Sequence, residues 1–530
     1  MNLNVFGSIV VGVCVAGAGG GAVLAQDGAP PSSATGMWIT RCAACHGENG
    51  GGVEGRAKSL LTDAAMEESN DRPFFELLRK AAGPHSANGG ESDRAGSLGL
   101  TEQQTWALIV HLRELQAKDW RKRVGDLKRG ADGAYATQRA KFKVESVIDS
   151  GLKTPWSIAW MPAAPTKESP AAYRALVTEK DGQLDVYEGL GVGGKLLGRV
   201  SGLPKLASNG QGGLMDVAVH PDYAHNGWVY LTFAESNPQG GGKVPAEMTK
   251  VVRGKITQTE SHDSDEGSFA FTDQQVIFQP RPGHYNGAGV HYGSRIVFER
   301  PTGGDVKEAN GRWLVYFSIG ERGGMEQAQS LELPNGKVHR VWEDGQVPSS
   351  NPFADQEKAY GTIWTIGHRN QQGLCFDDNG ALWDTEHGPR GGDELNLLTR
   401  GADYGWPQSC FGINYSDQPF VLPWKEKASN GMPITLPVHR WLPSIAACGL
   451  DCARSADVKS TFPDWSGDLF AGGLAGASVD RIRIKDGKVA ELEEIVHGMG
   501  RIRDVAFGPD GMLYLVLNGP DKVVRLVPAK

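Results

Sequence analysis

From Val144 to the C-terminus the chain repeats one pattern: a short apolar run, a turn, and a second apolar run. Trp156-Ser157-Ile158-Ala159-Trp160 is one such run, and Leu214-Met215-Asp216-Val217-Ala218-Val219 with Trp228-Val229-Tyr230-Leu231 is the next. Further copies are Ser294 to Phe298 with Trp313 to Tyr316, Gly373 to Phe376 with Ala381 to Trp383, and Asp504 to Phe507 with Met512 to Leu515. They lie roughly 60 to 80 residues apart, with one gap of twice that length before the last, and no copy is large enough to bury its own apolar face. They must therefore stack on one another. The 72 glycines, most of them beyond the N-terminus falling between apolar runs, fit a body of short strands and turns. Units of four strands fill residues 144–530 as a six-bladed β-propeller; a sandwich or two stacked barrels would not give a regular period.

Ahead of this body stands Cys42-Ala43-Ala44-Cys45-His46. At that spacing Cys42 and Cys45 can add across the vinyl groups of one haem while the His46 imidazole reaches the iron. A zinc site would need a second Cys-x-x-Cys, and there is none. The motif therefore predicts covalent haem c in a small all-α domain over residues 36–118. Met37-Trp38-Ile39 begins the helix that delivers the motif. Phe74 to Leu78 continues at helical spacing, and Thr101-Glu102-Gln103-Gln104 caps a segment whose Trp106, Ala107, Ile109, Val110 and Leu112 share that spacing. This outline resembles the small class I cytochromes c. Those proteins present a methionine before the last helix, where this chain has Ala82-Gly83-Pro84-His85-Ser86-Ala87. His85 is the expected second iron ligand, a solvated loop histidine is the other reading, and Met66 is the weaker candidate. Ligation by His85 would lower the potential relative to His/Met.

Val5 to Leu24 is apolar and glycine-rich and ends before Ala25-Gln26, which suits a signal peptide over residues 1–25 that includes Cys14. It lacks Lys or Arg ahead of the apolar stretch, so an uncleaved membrane anchor is the alternative. Export agrees with haem c and predicts a periplasmic or secreted protein. It also permits disulfides among Cys375, Cys410, Cys448 and Cys452, with all three pairings open. Residues 119–143, including Trp120-Arg121-Lys122-Arg123, read as a charged linker or a surface helix. A net charge of −8 argues against nucleic acid and favours a basic external electron acceptor such as another cytochrome.

Several body segments occur together in the order of a known family. They are Gly210-Gln211-Gly212-Gly213-Leu214, His291-Tyr292-Gly293-Ser294-Arg295, and Gly367-His368-Arg369-Asn370-Gln371-Gln372-Gly373-Leu374. After them come Glu386-His387-Gly388-Pro389-Arg390-Gly391-Gly392-Asp393-Glu394-Leu395-Asn396, Tyr404-Gly405-Trp406-Pro407 and Arg501-Ile502-Arg503-Asp504. The body thereby resembles the soluble glucose dehydrogenases that use pyrroloquinoline quinone, and more closely their aldose sugar dehydrogenase relatives.

A cofactor with three carboxylates and an ortho-quinone calls for guanidinium forks and amide donors. Arg501 and Arg503, two apart, would share one face of a strand. The resemblance implies that both bind the cofactor carboxylates, with Arg369, Asn370 and Gln211 as further donors. It implies a Ca²⁺ on the carbonyls of Gly388 and Pro389, polarising the quinone, and a second calcium region at Asp393, Glu394 and Tyr404. His291 is the expected general base that takes the sugar hydroxyl proton as hydride leaves C1. Glu321, where the glucose enzymes have Asp, would orient it, and Trp441 would floor the sugar, with further contacts on loops such as 236–244 and 417–430. A late-strand lysine of the glucose enzymes has no counterpart; Ala475 stands there. The expected function is thus a quinohaemoprotein that oxidises an aldose and passes electrons to its own haem. A carbohydrate- or protein-binding propeller beside a cytochrome is the alternative.

Overall fold

The structure is a computed structural model that describes residues 32–62, 71–80, 100–163, 173–189, 191–237, 239, 246–258 and 269–529. The signal-peptide segment, Met66 and His85 lie outside the described residues. No described helix is long and apolar enough to cross a membrane.

The head consists of α1 (Ala34–Arg41), α2 (Ala43–His46), α3 (Asp71–Lys80) and α4 (Glu102–Val124). Ser33 caps α1, its Oγ accepting from the Gly36 N–H at 3.0 Å. Thr101 and Gln104 close a reciprocal capping box on α4. Every residue of α4 from Thr105 to Arg113 is buried. A helix buried all round must be covered on both sides: α1 lies on one side and the body on the other.

The body is built of consecutive four-stranded antiparallel meanders that begin with the strands Pro155–Pro162, Leu214–Val219, Ile296–Glu299, Gln371–Phe376 and Ala447–Cys452. The last meander starts at Arg501–Phe507 and takes its fourth strand, Lys141–Ile148, from the other end of the body, paired antiparallel to Lys522–Pro528. These first strands pack each against the next, and Arg501–Phe507 returns against Pro155–Pro162 to close the circle. The result is a β-propeller whose two ends are hydrogen-bonded together. The first two meanders are also joined at their outer edges by a short parallel pairing of Phe269 and Ala270 with Val200 and Ser201.

Residues 119–143, read as a charged linker or a surface helix, begin as helix. Helix α4 runs to Val124, and the strand from Lys141 already belongs to the propeller. The disulfides permitted by the sequence are not formed: Cys375, Cys410, Cys448 and Cys452 are buried thiols. Cys448 and Cys452 lie in one strand, where four residues span about 13 Å, well beyond the Cα separation a disulfide tolerates.

A polar hub lies where the inner strands meet. Arg295 Nη1 pairs with Asp504 at 2.7 Å and Asp216 at 3.3 Å, Nε donates to the Gln372 carbonyl at 2.7 Å, and Nη2 donates to the Arg503 carbonyl at 3.0 Å. Asp216 also accepts from Ser157 Oγ at 2.6 Å and the Ile296 N–H at 2.8 Å, and Asp504 accepts from the Ile158 N–H at 3.2 Å. Cys448 Sγ adds its own bond to the Arg503 carbonyl at 2.9 Å. Burial pushes Asp504 up to about 7 and Asp216 in the same direction, with Arg295 opposing both shifts. Removing the cation would strand two buried carboxylates, so Arg295→Met is expected to cost about 3–5 kcal/mol. Asp504→Asn, which leaves Arg295 paired with Asp216, should cost less. Thermal unfolding tests this order, and a variant Arg295→Met that melts with the parent protein would refute it.

Candidate functional site

His291 sits where the chain turns into the strand Ile296–Glu299, with left-handed backbone at His291 (φ 52°) and Gly293 (φ 64°). Gly320 makes the approach possible, because a Cβ there would lie 2.3 Å from the His291 carbonyl oxygen. The close passage brings Glu321 under the imidazole, and His291 Nδ1 hydrogen-bonds Glu321 Oε1. The carboxylate is itself fixed, since Oε2 accepts from the Met325 N–H at 2.6 Å. Backbone bonds complete the frame. The His291 N–H donates to Gln211 Oε1 at 2.9 Å, the Gly293 N–H to Asn370 Oδ1 at 3.1 Å, and the Glu321 N–H to the Arg369 carbonyl at 2.8 Å. With Nδ1 donating to Glu321, Nε2 is the basic nitrogen. Burial, reinforced by the nearby Arg369 cation, lowers the His291 pKa although Glu321 pulls it up. Burial works against ionised Glu321 too, but its bond to His291 and the Met325 amide hold it below the usual carboxylate range. The pair is a neutral imidazole on a carboxylate at neutral pH.

Three guanidiniums from Arg369, Arg501 and Arg503 gather nearby, and none makes an ion pair among the described residues. Arg369 Nη1 donates to the His387 carbonyl at 3.1 Å, and its Nε has no partner among those residues. Arg503 rests on neutral acceptors, Asn518 Oδ1 at 3.2 Å and Gln372 Oε1 at 3.3 Å. Arg501 is exposed, and partial burial of its inner atoms with the Arg503 cation lowers its pKa. Close cations without carboxylates suit a polyanionic ligand. His387, which sequence reasoning passed over inside its own motif, lies beside Arg369 and Arg503. Burial drives its pKa well down, Arg369 and Arg503 add to this, and its Nε2 has no partner among the described residues.

The loop after His387 is held tightly. Asp393 Oδ1 accepts from the Gly388 N–H at 3.0 Å, while Oδ2 accepts from Ser444 Oγ at 2.8 Å and the Ala447 N–H at 3.0 Å. A Cβ on Gly388 would meet the carbonyls of Gly391 and Gly392 at 2.3 and 2.4 Å. Among the described residues no N–H donates to the carbonyl of Gly388 or Pro389, which leaves two hard oxygens in a fixed turn. Asp393 is thus an anchor for this loop. The Tyr404 hydroxyl is engaged within its own blade, donating to the Leu397 carbonyl at 2.6 Å, so its backbone carbonyl is the atom it could offer a cation. Glu394 lies in a buried acidic group with Glu386 and Asp384, beside His368. Burial, with Glu386 as a like charge, raises both Glu394 and Asp384 well above the carboxylate range.

Trp441 is 5% exposed, its indole donates to Asp480 Oδ2 at 2.8 Å, and it borders the cavity between α4 and the propeller. The loop from Asp417 turns to the head: Asp417 accepts from the Ala34 and Thr35 N–H groups at 2.8 and 3.0 Å and pairs with Arg390 at 2.6 Å. Residues 236–244 lie largely outside the described residues.

In the head, Cys42 ends α1, and Cys45 and His46 lie in α2, with the Trp38 and His46 rings 6.5 Å apart. Burial and the neighbouring Cys45 push the Cys42 thiol up to about 11. The head docks beside the Gly388–Pro389 loop. Arg390 makes a two-pronged bond to Glu114 of α4 at 2.7 Å for each prong, and Asp71 of α3 bridges Arg113 and Arg440. Trp106 packs edge-on to Trp424 at 4.9 Å and donates to the Phe411 carbonyl at 3.1 Å.

Residues 152–525 match the glucose/sorbosone dehydrogenase family, and residues 35–116 match cytochrome c. The chain belongs to the glucose/sorbosone dehydrogenase family. The aldose sugar dehydrogenase YliI of Escherichia coli (strain K12) is 32% identical over 374 residues, covering 70% of this chain and 89% of that protein. The apo crystal structure of the soluble aldose sugar dehydrogenase from Escherichia coli superposes with a TM-score of 0.59 at 30% identity, covering 73% of this chain and all of that one. The PQQ-bound aldose sugar dehydrogenase of Streptomyces coelicolor gives 0.50 at 25% identity, covering 73% and 98%. The dehydrogenase match thus covers the propeller alone; the head, with its Cys-x-x-Cys-His, is an addition to that core.

The His291–Glu321 pair predicts a titration. His291 should titrate below the ordinary value of about 6.5 in an NMR experiment on its ring protons, and lower still in Glu321→Gln, which removes the charge that raises it. An upward shift in that variant would contradict the pairing.

Proposed function

We propose that this protein is an exported quinohaemoprotein aldose dehydrogenase, its body a six-bladed propeller, taking pyrroloquinoline quinone and Ca²⁺ in the body and covalent haem c on Cys42 and Cys45. One observation carries the reading: a neutral imidazole fixed on a carboxylate stands beside three guanidiniums without counter-ions, in a chain that also bears a haem-attachment motif.

The residues present fit the proposed groups. Arg369, Arg501 and Arg503 would neutralise the carboxylates of the quinone, with Gln211 and Asn370 ordering the turn beside them. The carbonyls of Gly388 and Pro389 would hold the calcium, with Glu394 and Tyr404 as a second cation region. When bound, the quinone supplies the hydride acceptor and the calcium polarises it. The chain's own residues do the rest. His291 Nε2 takes the hydroxyl proton of the sugar, so the developing positive charge at C1 collapses to a neutral product. Glu321 fixes the tautomer and stabilises the imidazolium that forms. His46 would ligate the haem iron, with His85 as the expected partner. Tethering places an electron acceptor at high effective concentration beside the body, and a second cytochrome outside would receive the electrons. The periplasm or the extracellular space is the proposed location, with membrane attachment only if the N-terminal segment is retained.

The test is the visible spectrum of the haem after adding an aldose to protein loaded with pyrroloquinoline quinone and Ca²⁺. Reduction should need both and should slow by about 10²–10⁴-fold in His291→Ala. The rate should persist below pH 6.5, because lowering the imidazole pKa keeps the base deprotonated in mild acid, and should fall only under more acidic conditions. A haem that stays oxidised with every aldose, in protein that binds no quinone, would leave a binding propeller beside a cytochrome.

A further inference from the structure

Lys337 is fully buried where the strand Lys337–Trp342 begins, and it makes no ion pair among the described residues. Its ammonium instead donates to three backbone carbonyls: Gln327 and Asn335 at 2.7 Å each and Ala328 at 3.0 Å. A lysine has three N–H donors, and here each is engaged by a carbonyl of the loop that precedes it. We propose that Lys337 is a positioning residue for the His291–Glu321 pair, its ammonium clamping the turn whose Met325 amide holds the Glu321 carboxylate. The catalytic meaning of the clamp rests on the dehydrogenase reading above; its geometry does not.

Position is the first argument. Lys337 stands opposite Ile319 in the antiparallel pairing with the strand Leu314–Ile319, and Glu321 follows Ile319 by two residues. Beyond Glu321 the chain enters a 3₁₀ turn over Met325–Gln329. Met325 at its start donates an N–H to Glu321 Oε2 at 2.6 Å, and its later residues offer the Gln327 and Ala328 carbonyls to Lys337. Asn335 ties the two ends, its Nδ2 donating to Gln327 Oε1 at 2.7 Å and to the Glu321 carbonyl at 3.4 Å. The clamp also reaches the cation side of the site. The Ala328 carbonyl accepts from the Gly367 N–H at 3.1 Å, and the Gly336 carbonyl from the His368 N–H at 3.1 Å, just ahead of Arg369.

Two features make such a clamp necessary. Met325 has left-handed backbone (φ 30°), which a long side chain disfavours and which persists only where surrounding bonds fix it. Glu321 is one methylene longer than the aspartate of the glucose enzymes, so its carboxylate has one more rotatable bond to hold. The bond to His291 fixes one oxygen and the Met325 amide fixes the other. Burial drives the Lys337 pKa well down, and Asp403, too far for an ion pair, opposes this. The three carbonyls are therefore the groups that hold the ammonium in place. An apolar side chain there would leave all three buried without that donor, and the turn would yield its amide geometry to satisfy them.

The test uses the full chain. The His291 ring protons are titrated by NMR in protein without quinone, and haem reduction by glucose is followed after loading with pyrroloquinoline quinone and Ca²⁺. The charges that act most on His291 are Arg369, Glu321 and Arg322, so a shift of its midpoint reports the placement of Glu321 and not the loss of the Lys337 charge. In Lys337→Met the midpoint should fall, by less than in Glu321→Gln, and kcat should drop about 10- to 100-fold with KM held. Asn335→Ala, which loosens the same turn and keeps the ammonium, should shift the midpoint the same way by less, and it decides the matter if Lys337→Met does not fold. In a Glu321→Asp background, whose shorter arm cannot span His291 and the Met325 amide together, Lys337→Met should shift the midpoint no further. A midpoint equal to the parent's in every folded variant would overturn the proposal, as would an undiminished shift in the Glu321→Asp background. If glucose leaves the haem oxidised while the midpoint falls as expected, the positioning role stands and the failure belongs to the redox reading.

Discussion

The Arg295 guanidinium holds the centre of this protein together. It reaches carboxylates and carbonyls on the strands Leu214–Val219, Gln371–Phe376 and Arg501–Phe507, and its own residue leads into Ile296–Glu299. Ser157 and Cys448 bring in the two remaining inner strands. A buried ionic hub of this kind is weak evidence for net stability, since desolvation offsets much of its attraction. Its consequence is positional. Strands slid by one residue would turn their side chains to the wrong face and separate these donors from these acceptors. The same inner strands and the turns at their ends carry His291, Arg369, Arg501 and Arg503, so the hub that sets their register also sets the site.

Docking of the head follows from a different chemistry. An apolar face formed by Trp106, Phe411, Ile413 and Trp424 supplies burial, and charged pairs at Asp71 and Glu114 supply orientation. Arg390 belongs to both systems, since it follows Gly388 and Pro389 directly and its guanidinium grips α4. Movement of the head and movement of that loop are therefore not independent. The geometry favours a fixed head over one swinging on a flexible tether, and α4 is buried along most of its first half because it serves as the contact.

Much of this was legible in the amino-acid order. Paired apolar runs predicted the blades because a period-two pattern on short strands has few other uses. His291 and Glu321 were found from motif context and meet as expected. What was not legible has a common cause. Nothing local to Trp441 shows that Asp480, thirty-nine residues on, captures its indole. The loop from Asp417 looked variable and substrate-facing because its partners, Thr35 and Arg390, are brought in by docking of another domain. His387 was passed over because its significance lies in two cations, Arg369 and Arg503, that only the closed ring brings to it.

The absent lysine at Ala475 shows how one departure changes meaning once the second domain is present. In an isolated propeller, losing a cation near an anionic ligand is simply a loss of attraction. Here the small residues at Ala475 and Gly476 face a cavity whose other wall is a helix from the head. Arg369, Arg501 and Arg503 still supply positive charge. Charge and space have thus been redistributed. On the proposed function the guanidiniums of Arg369, Arg501 and Arg503 keep the electrostatic role, and the edge at Ala475 and Gly476 is room bounded by the head. Helix α4 thus has two parts with two tasks: its apolar first half fastens the head to the body, and its polar second half, from Ala117 to Arg121, borders the cavity.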